Sequence, residues 1–237
     1  MLDKTKYVLE LMADDQFFKQ YDVRFVGGTA LSLLIEHRLS EDLDFAMLEI
    51  PKEAIISLMN KYGAIQRNHS NFIIDSAIDD GEDINNSHMM FDLYGIKIDF
   101  FSPPFNIKEL VEWNSHPFTN YKNTNVKVAA FETIFYMKIM AFWNRKKYRD
   151  LYDIYFVIND SINNYSPKKF IEKYIEYNIS YTKEDMLLKI ESKESFFERG
   201  NDEGLASLVG DPKPYEWYRN QIQKMIHAVY LDELYSE

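Results

Sequence analysis

FVGGTALSLLIEHRLSEDLDF, residues 25–45, places a glycine pair (Gly27, Gly28) and an aspartate pair (Asp42, Asp44) thirteen residues apart. "VRFVGG" reads as a short strand ending in glycine, and "TALSLLIEH" has helical spacing at Ala30, Leu31, Leu34 and Ile35. A strand, two glycines and a helix start point free backbone N–H groups outward, the arrangement that receives an anion. Glycine also lets the backbone approach a phosphate with no Cβ in the way. The stretch carries neither G-K-[ST] nor G-x-G-x-x-G, so it is not a Walker or dinucleotide-binding loop. On its own it is equally a strand-to-helix turn.

"DLDFAML" alternates as a strand, so Asp42 and Asp44 project to one side while Leu43 and Phe45 enter the core. Two adjacent carboxylates repel unless a cation lies between them, and hard oxygen donors suit Mg²⁺ or Mn²⁺. A solvated strand edge explains an isolated D-x-D equally well. "IKIDFF" adds a third carboxylate: Ile96, Ile98 and Phe100 share one face, Lys97 and Asp99 the other. If this strand lies beside "DLDF", Asp99 joins Asp42 and Asp44 in a set that suits a two-metal phosphoryl site.

Composition narrows the alternatives. The chain has 237 residues, 46% hydrophobic and 16% aromatic, enough to bury a real core. It has no cysteine, which removes disulfides, zinc–thiolate sites and thiol catalysis. Its five histidines (37, 69, 88, 116, 227) are scattered, none pairing at metal-ligand spacing. The N-terminal MLDKTKYVLELMADD lacks an apolar core with a cleavage site, and no stretch approaches membrane-spanning length, so a cytoplasmic protein without a membrane partner is expected. Net charge is −11, which argues against broad coating of nucleic acid. Residues 122–149 nevertheless carry +6, leaving −17 elsewhere, so one basic segment is compatible with a polyanion.

The expected architecture is α+β: a mixed sheet flanked by helices over residues 1–125, then a helical domain over 126–237. Residues 3–20 fit one helix with Leu9, Leu11, Met12, Phe17 and Phe18 inward, and "KEAIISLMNKYG" a helix closed by Gly63. "FIIDSAI", "HMMFDLY" and "IKIDFF" read as strands, with the polar "DDGEDINNS" as a hairpin tip between the first two. From about Val126 the pattern reads as helical, starting with "VAAFETIFYMKIMAFWN" and "RDLYDIYFVIN". Phe135, Tyr136, Phe142, Trp143, Tyr148 and Tyr152 follow helical spacing and are mostly core.

The joint spacing of glycine turn, paired aspartates and later aspartate resembles the polymerase-β-like nucleotidyltransferase superfamily. "GGTAL…HRLSEDLDF", "IKIDFF" and "KIMAFWNRKKYRDLYDI" together are similar to the AbiEii/AbiGii toxin family, found in bacterial type IV toxin–antitoxin and abortive-infection systems, over roughly residues 23–158. The resemblance implies that Gly27, Gly28 and Thr29 hold the phosphates of an NTP, and that Asp42, Asp44 and Asp99 are catalytic and hold Mg²⁺ or Mn²⁺. It implies a catalytic Lys138, with Arg38, Ser40, Arg145, Arg149, Asp150 and Asp153 around the nucleotide. Lys138 and Arg145 are seven apart and share a helix face, which Arg149 continues if the helix is unbroken. A solvated helix connection is the simpler reading of "NRKKYRD".

The expected activity is transfer of a nucleoside monophosphate from an NTP to an acceptor hydroxyl. A tRNA 3′ end or other RNA would contact the 122–149 segment, and a cognate antitoxin is the expected partner. A small-molecule nucleotidyltransferase, or a nucleotide- or partner-binding module without turnover, stays open.

Overall fold

A computed structural model describes residues 1–69, 84–103, 107–115, 117–144, 147–177, 182–191 and 205–235. The chain divides into two compact units, Met1–Ile134 and Phe135–Glu237.

The first unit is built on a mixed seven-stranded sheet in the order β3-β4-β5-β2-β1-β7-β6. Its strands are β1 (Arg24–Val26), β2 (Leu43–Ala46), β3 (Ile65–Arg67), β4 (His88–Leu93), β5 (Ile96–Phe101), β6 (Phe118–Asn120) and β7 (Lys127–Ala129). β2 pairs antiparallel with β1 and parallel with β5, so the strand of the aspartate pair is central and paired on both sides. Its helices are α1 (Asp3–Met12), α2 (Gln16–Gln20), α3 (Gly27–Ile35), α4 (Lys52–Tyr62), α5 (Ile84–Ser87) and α6 (Ile107–Ser115).

Opposed residues of paired strands share a face, and the period-2 alternation splits this sheet accordingly. Phe25, Phe45 and Phe100 lie on one face, with Phe45 stacked on Phe100 at 5.2 Å and tilted against Phe25 at 5.4 Å. Phe17 and Phe18 of α2 close over them at 6.0 Å from Phe100 and 5.3 Å from Phe45. The opposite face carries Asp44, Asp99, Lys97, Asp92 and His88. One face is therefore the core, and the other is free to carry chemistry.

Residues 3–20 form two helices, not one. Asp15 is the N-cap of α2 and its carboxylate accepts the Phe17 N–H at 2.9 Å, so the chain turns at Ala13–Asp15. Leu11 stands 37% exposed as a result, while Leu9, Met12, Phe17 and Phe18 are buried. The stretch from Val126 is not wholly helical either: Lys127–Ala129 is β7, parallel to β1, and the helix begins only at Phe131. Three residues are too short to show their period, and "VAAFETIF" fits both templates. "FIIDSAI" and most of "DDGEDINNS" lie outside the described residues. The end of the latter, Ile84–Ser87, is the single turn α5 leading into β4.

The second unit contains only helices among its described residues: most of α7 (Phe131–Asn144), then α8 (Tyr148–Asn159), α9 (Pro167–Tyr177), α10 (Lys183–Glu191), α11 (Leu205–Leu208) and α12 (Tyr215–Leu234), with a 3₁₀ turn at Ile162–Asn164. The aromatic-rich sequence pays off here as ring packing. Tyr148, Tyr152 and Tyr155 of α8 meet Tyr215, Trp217 and Tyr218 of α12 at 5.2–5.9 Å. Phe135 packs on Tyr165 at 4.8 Å, and Phe142 on Phe170 at 6.3 Å. No described helix is long and apolar enough to cross a membrane.

Candidate active site

The site in the first unit begins at the glycine turn. α3 starts at Gly27 with φ +73°, and no side chain caps this helix start. A Cβ at position 27 would fall 2.1 Å from Asp44 Oδ2, so the Asp44 carboxylate lies directly against the bare Cα. A Cβ at position 28 would fall 2.6 Å from Arg38 Nη2 and 3.5 Å from Ser40 Oγ. The glycine pair thus admits a carboxylate on one residue and a guanidinium on the next. Gly27→Ala combines a left-handed backbone with a blocked carboxylate. It is expected to cost about 1–3 kcal/mol and to weaken nucleotide binding, read by urea titration and nucleotide affinity.

The segment between α3 and β2 is pinned from several sides. Glu36 closes α3 in the left-handed region, its N–H donating to Ser32 O. The buried Thr29 hydroxyl donates to the Asp42 carbonyl and shares a 2.8 Å hydrogen bond with Ser40 Oγ. Arg38 is buried, and its Nη1 donates to Leu39 O at 2.9 Å. From α1, Thr5 Oγ1 donates to Glu41 O at 2.9 Å, and Leu2 N–H to Ser40 O at 3.0 Å. Helix α3 therefore folds the D-x-D segment back onto its own first turn. Thr29→Val leaves the Asp42 carbonyl without its hydroxyl donor at no change in size. It is expected to cost about 1–3 kcal/mol, checked by chemical denaturation.

Asp42 directly precedes β2, and Asp44 lies within it. Asp44 is opposite Val26 on β1 and opposite Asp99 on β5. The condition set by the sequence, that "IKIDFF" lie beside "DLDF", is met. Asp99 is 6% exposed; its Oδ2 receives Lys97 Nζ and lies 3.5 Å from His88 Nε2, while its Oδ1 is buried with no hydrogen-bond partner. Burial pushes the Asp99 carboxyl up. His88 and Lys97 oppose that and prevail, holding it below the usual carboxylate range. It is a carboxylate at neutral pH.

These residues offer the hard oxygen donors a divalent cation takes, and the orphaned, buried Oδ1 of Asp99 is the kind of atom such an ion satisfies. The donor set fits in chemistry. As the side chains stand, no group of three His, Asp or Glu among the described residues is gathered tightly enough to hold an ion. Asp44 and Asp99 are matched by register, and Lys97 is the ion-pair partner of Asp99.

Two residues near Asp99 carry more than the sequence reading gave them. Strand alternation puts Lys97 on the Asp99 face, and the structure shows it to be the ion-pair partner of Asp99. His88, one of the scattered histidines, lies with its ring tilted against that of His69, centroids 4.9 Å apart, and His69 Nε2 lies 3.1 Å from His88 O. The "HMMFDLY" alternation carries His88 to the polar face, but only the β4–β5 register puts it near Asp99.

The second unit holds a separate ionic cluster. Lys138 Nζ on α7 lies 2.8 Å from both Asp150 Oδ1 and Asp153 Oδ2 on α8. All three are buried. Asp150 and Asp153 are one turn apart, so both reach the same ammonium. Arg149 is the second residue of α8 and is partly buried; Arg145 lies outside the described residues. α7 and α8 are not one helix, because Lys147 is extended at φ −87°, ψ 135°, and no single helical stripe runs from Lys138 to Arg149.

A family model described as "Nucleotidyl transferase AbiEii toxin, Type IV TA system" matches residues 10–223. Among solved structures, the chain is similar to a protein from H. pylori assigned as a nucleotidyltransferase, at TM-score 0.52 and 14% identity, covering 100% of this chain and 99% of that one. It is also similar to MenT4, a nucleotidyltransferase toxin from Mycobacterium tuberculosis H37Rv, at TM-score 0.48 and 14% identity, covering 86% of this chain and 74% of that one. At such identity the first likeness speaks for the fold alone. No sequence match is found among curated proteins.

Proposed function

The chain belongs to the AbiEii nucleotidyl transferase toxin family of type IV systems, and from that premise we propose that it transfers a nucleoside monophosphate from an NTP to an acceptor hydroxyl in a divalent-metal-dependent reaction. The observation that carries this reading is the pairing of Asp44 with Asp99 on neighbouring strands, with the Asp44 carboxylate against the glycine that opens α3.

Gly27, Gly28 and Thr29 form the uncapped first turn of α3, whose N–H groups suit the phosphates of the nucleotide. Arg38, its guanidinium beside Gly28, adds positive charge there, and Ser40 holds Thr29 in place. Asp42, Asp44 and Asp99 are the residues that would hold Mg²⁺ or Mn²⁺. When bound, such an ion supplies Lewis-acid charge for the attacking and leaving oxygens. The acceptor oxygen attacks the α-phosphorus, the bond to the bridging oxygen breaks and pyrophosphate leaves; the Asp99 carboxylate, whose Oδ1 has no hydrogen-bond partner, is proposed to take the hydroxyl proton. Lys138, gripped by Asp150 and Asp153, is proposed as a second cluster that the reaction requires, with Arg145 and Arg149 as further contacts for phosphate.

The acceptor is proposed to be an RNA, a tRNA 3′ end first, met by the basic 122–149 segment, and the partner in the cell a cognate antitoxin. Offering the pure protein α-labelled NTPs with total tRNA or with small hydroxyl acceptors tests this. Label on tRNA that falls with rising salt supports the RNA acceptor. Label only on a small acceptor overturns that part and leaves nucleotidyl transfer standing. Nucleotide binding with no labelling of any acceptor overturns turnover itself.

A further inference from the structure

Lys97 and His88 both approach Oδ2 of Asp99 and leave Oδ1, buried, with no partner. The carboxylate is therefore divided: Oδ2 is engaged by the Lys97 ammonium with the His88 ring beside it, and Oδ1 makes no hydrogen bond. Lys97 is two residues from Asp99 on β5 and cannot avoid its face, because strand side chains alternate. His88 enters from β4, opposite Phe101 in the register, with its ring against the tilted ring of His69. Removing Lys97 would take away the ammonium that Asp99 pairs with beside Asp44.

We propose that Lys97 is a built-in counter-ion of Asp99 that sets how tightly this carboxylate takes a divalent cation and restricts it to one oxygen. The inference rests on the reading of Asp99 as a metal-holding residue. An ammonium on the same carboxylate repels an incoming dication and withdraws charge from the donor, so it weakens metal binding. In return, it keeps Asp99 compensated beside Asp44 and keeps Oδ1 as the oxygen offered. Lys97 is thus a positioning residue that acts through Asp99. Its side chain is 38% exposed, so solvent screens part of the repulsion. The remainder is expected to be worth roughly 3–10-fold in metal affinity.

The test is Mn²⁺ binding by the full chain, followed from the free-ion electron paramagnetic resonance signal, with wild type, Lys97→Met, Lys97→Arg and Asp99→Asn. Thermal melts of each confirm the fold. Lys97→Met is expected to tighten Mn²⁺ binding by about 3–10-fold, Lys97→Arg to stay near wild type, and Asp99→Asn to weaken binding by at least about 10-fold. Unchanged or weaker binding by Lys97→Met, with Asp99→Asn still weakened, overturns the counter-ion role and leaves Asp99 as a ligand. Unchanged binding by Asp99→Asn overturns the reading of Asp99 itself, and the counter-ion role with it.

Discussion

Asp44→Asn is expected to lower nucleotide transfer by on the order of 10³-fold while the protein stays folded. Metal charge on the reacting oxygens supplies several kcal/mol of transition-state stabilisation, and each 1.36 kcal/mol is about a tenfold change in rate. Asn keeps the size and one oxygen of Asp but loses the charge that attracts the ion. The side chain is only partly buried, on the polar face of the sheet, so the core made by Phe25, Phe45 and Phe100 is untouched. The thermal midpoint should therefore move by no more than a few degrees, about the effect of 1 kcal/mol in a domain of this size. Initial rates with Mg²⁺ and with Mn²⁺, alongside thermal melts, check both parts. Wild-type turnover in Asp44→Asn would remove this carboxylate from the chemistry.

Lys138→Met is expected to destabilise the second unit by about 3–5 kcal/mol, because it removes the buried ammonium that two buried carboxylates share. Set against a total stability of about 5–15 kcal/mol, that is a large share. Urea denaturation followed by tyrosine and tryptophan fluorescence reads it. Any loss of activity in this variant is therefore ambiguous by itself. The triple variant Lys138→Met, Asp150→Asn, Asp153→Asn separates the effects by removing all three charges at once. It should recover much of the lost stability, and if the cluster is needed for the reaction it should remain inactive. Recovery of activity together with stability would make the cluster purely structural. A wild-type urea midpoint for Lys138→Met would mean that the buried ammonium does not hold this unit together.

The mixed sheet followed by helices could be read from the sequence because its central elements repeat their period clearly. "DLDFAML" and "IKIDFF" alternate without interruption, and the glycine pair marks where β1 gives way to α3. The edges could not be read. β3, β6 and β7 have three residues each, and their strand character comes from partners distant in sequence. α1 and α2 share one hydrophobic pattern, and only the Asp15 cap separates them. For the candidate site, the residues with intrinsic meaning stand out: two glycines, three aspartates, and one lysine ahead of the "RDLYD" block. What the sequence does not carry is register. Asp44 meets Asp99, and His88 comes near Asp99, only because β5 lies between β2 and β4. Lys97 reads as one more solvated residue until its reach to Oδ2 is seen.

The central claim is that an NTP is split between its α- and β-phosphates and the monophosphate is joined to an acceptor. Parallel incubations of the pure protein with Mg²⁺, tRNA and either α-labelled or γ-labelled NTP test it directly. The account predicts α-label bound covalently to the acceptor, γ-label released as pyrophosphate, and neither product with Asp44→Asn. γ-Label on the acceptor, or release of labelled inorganic phosphate without any α-labelled product, would contradict it.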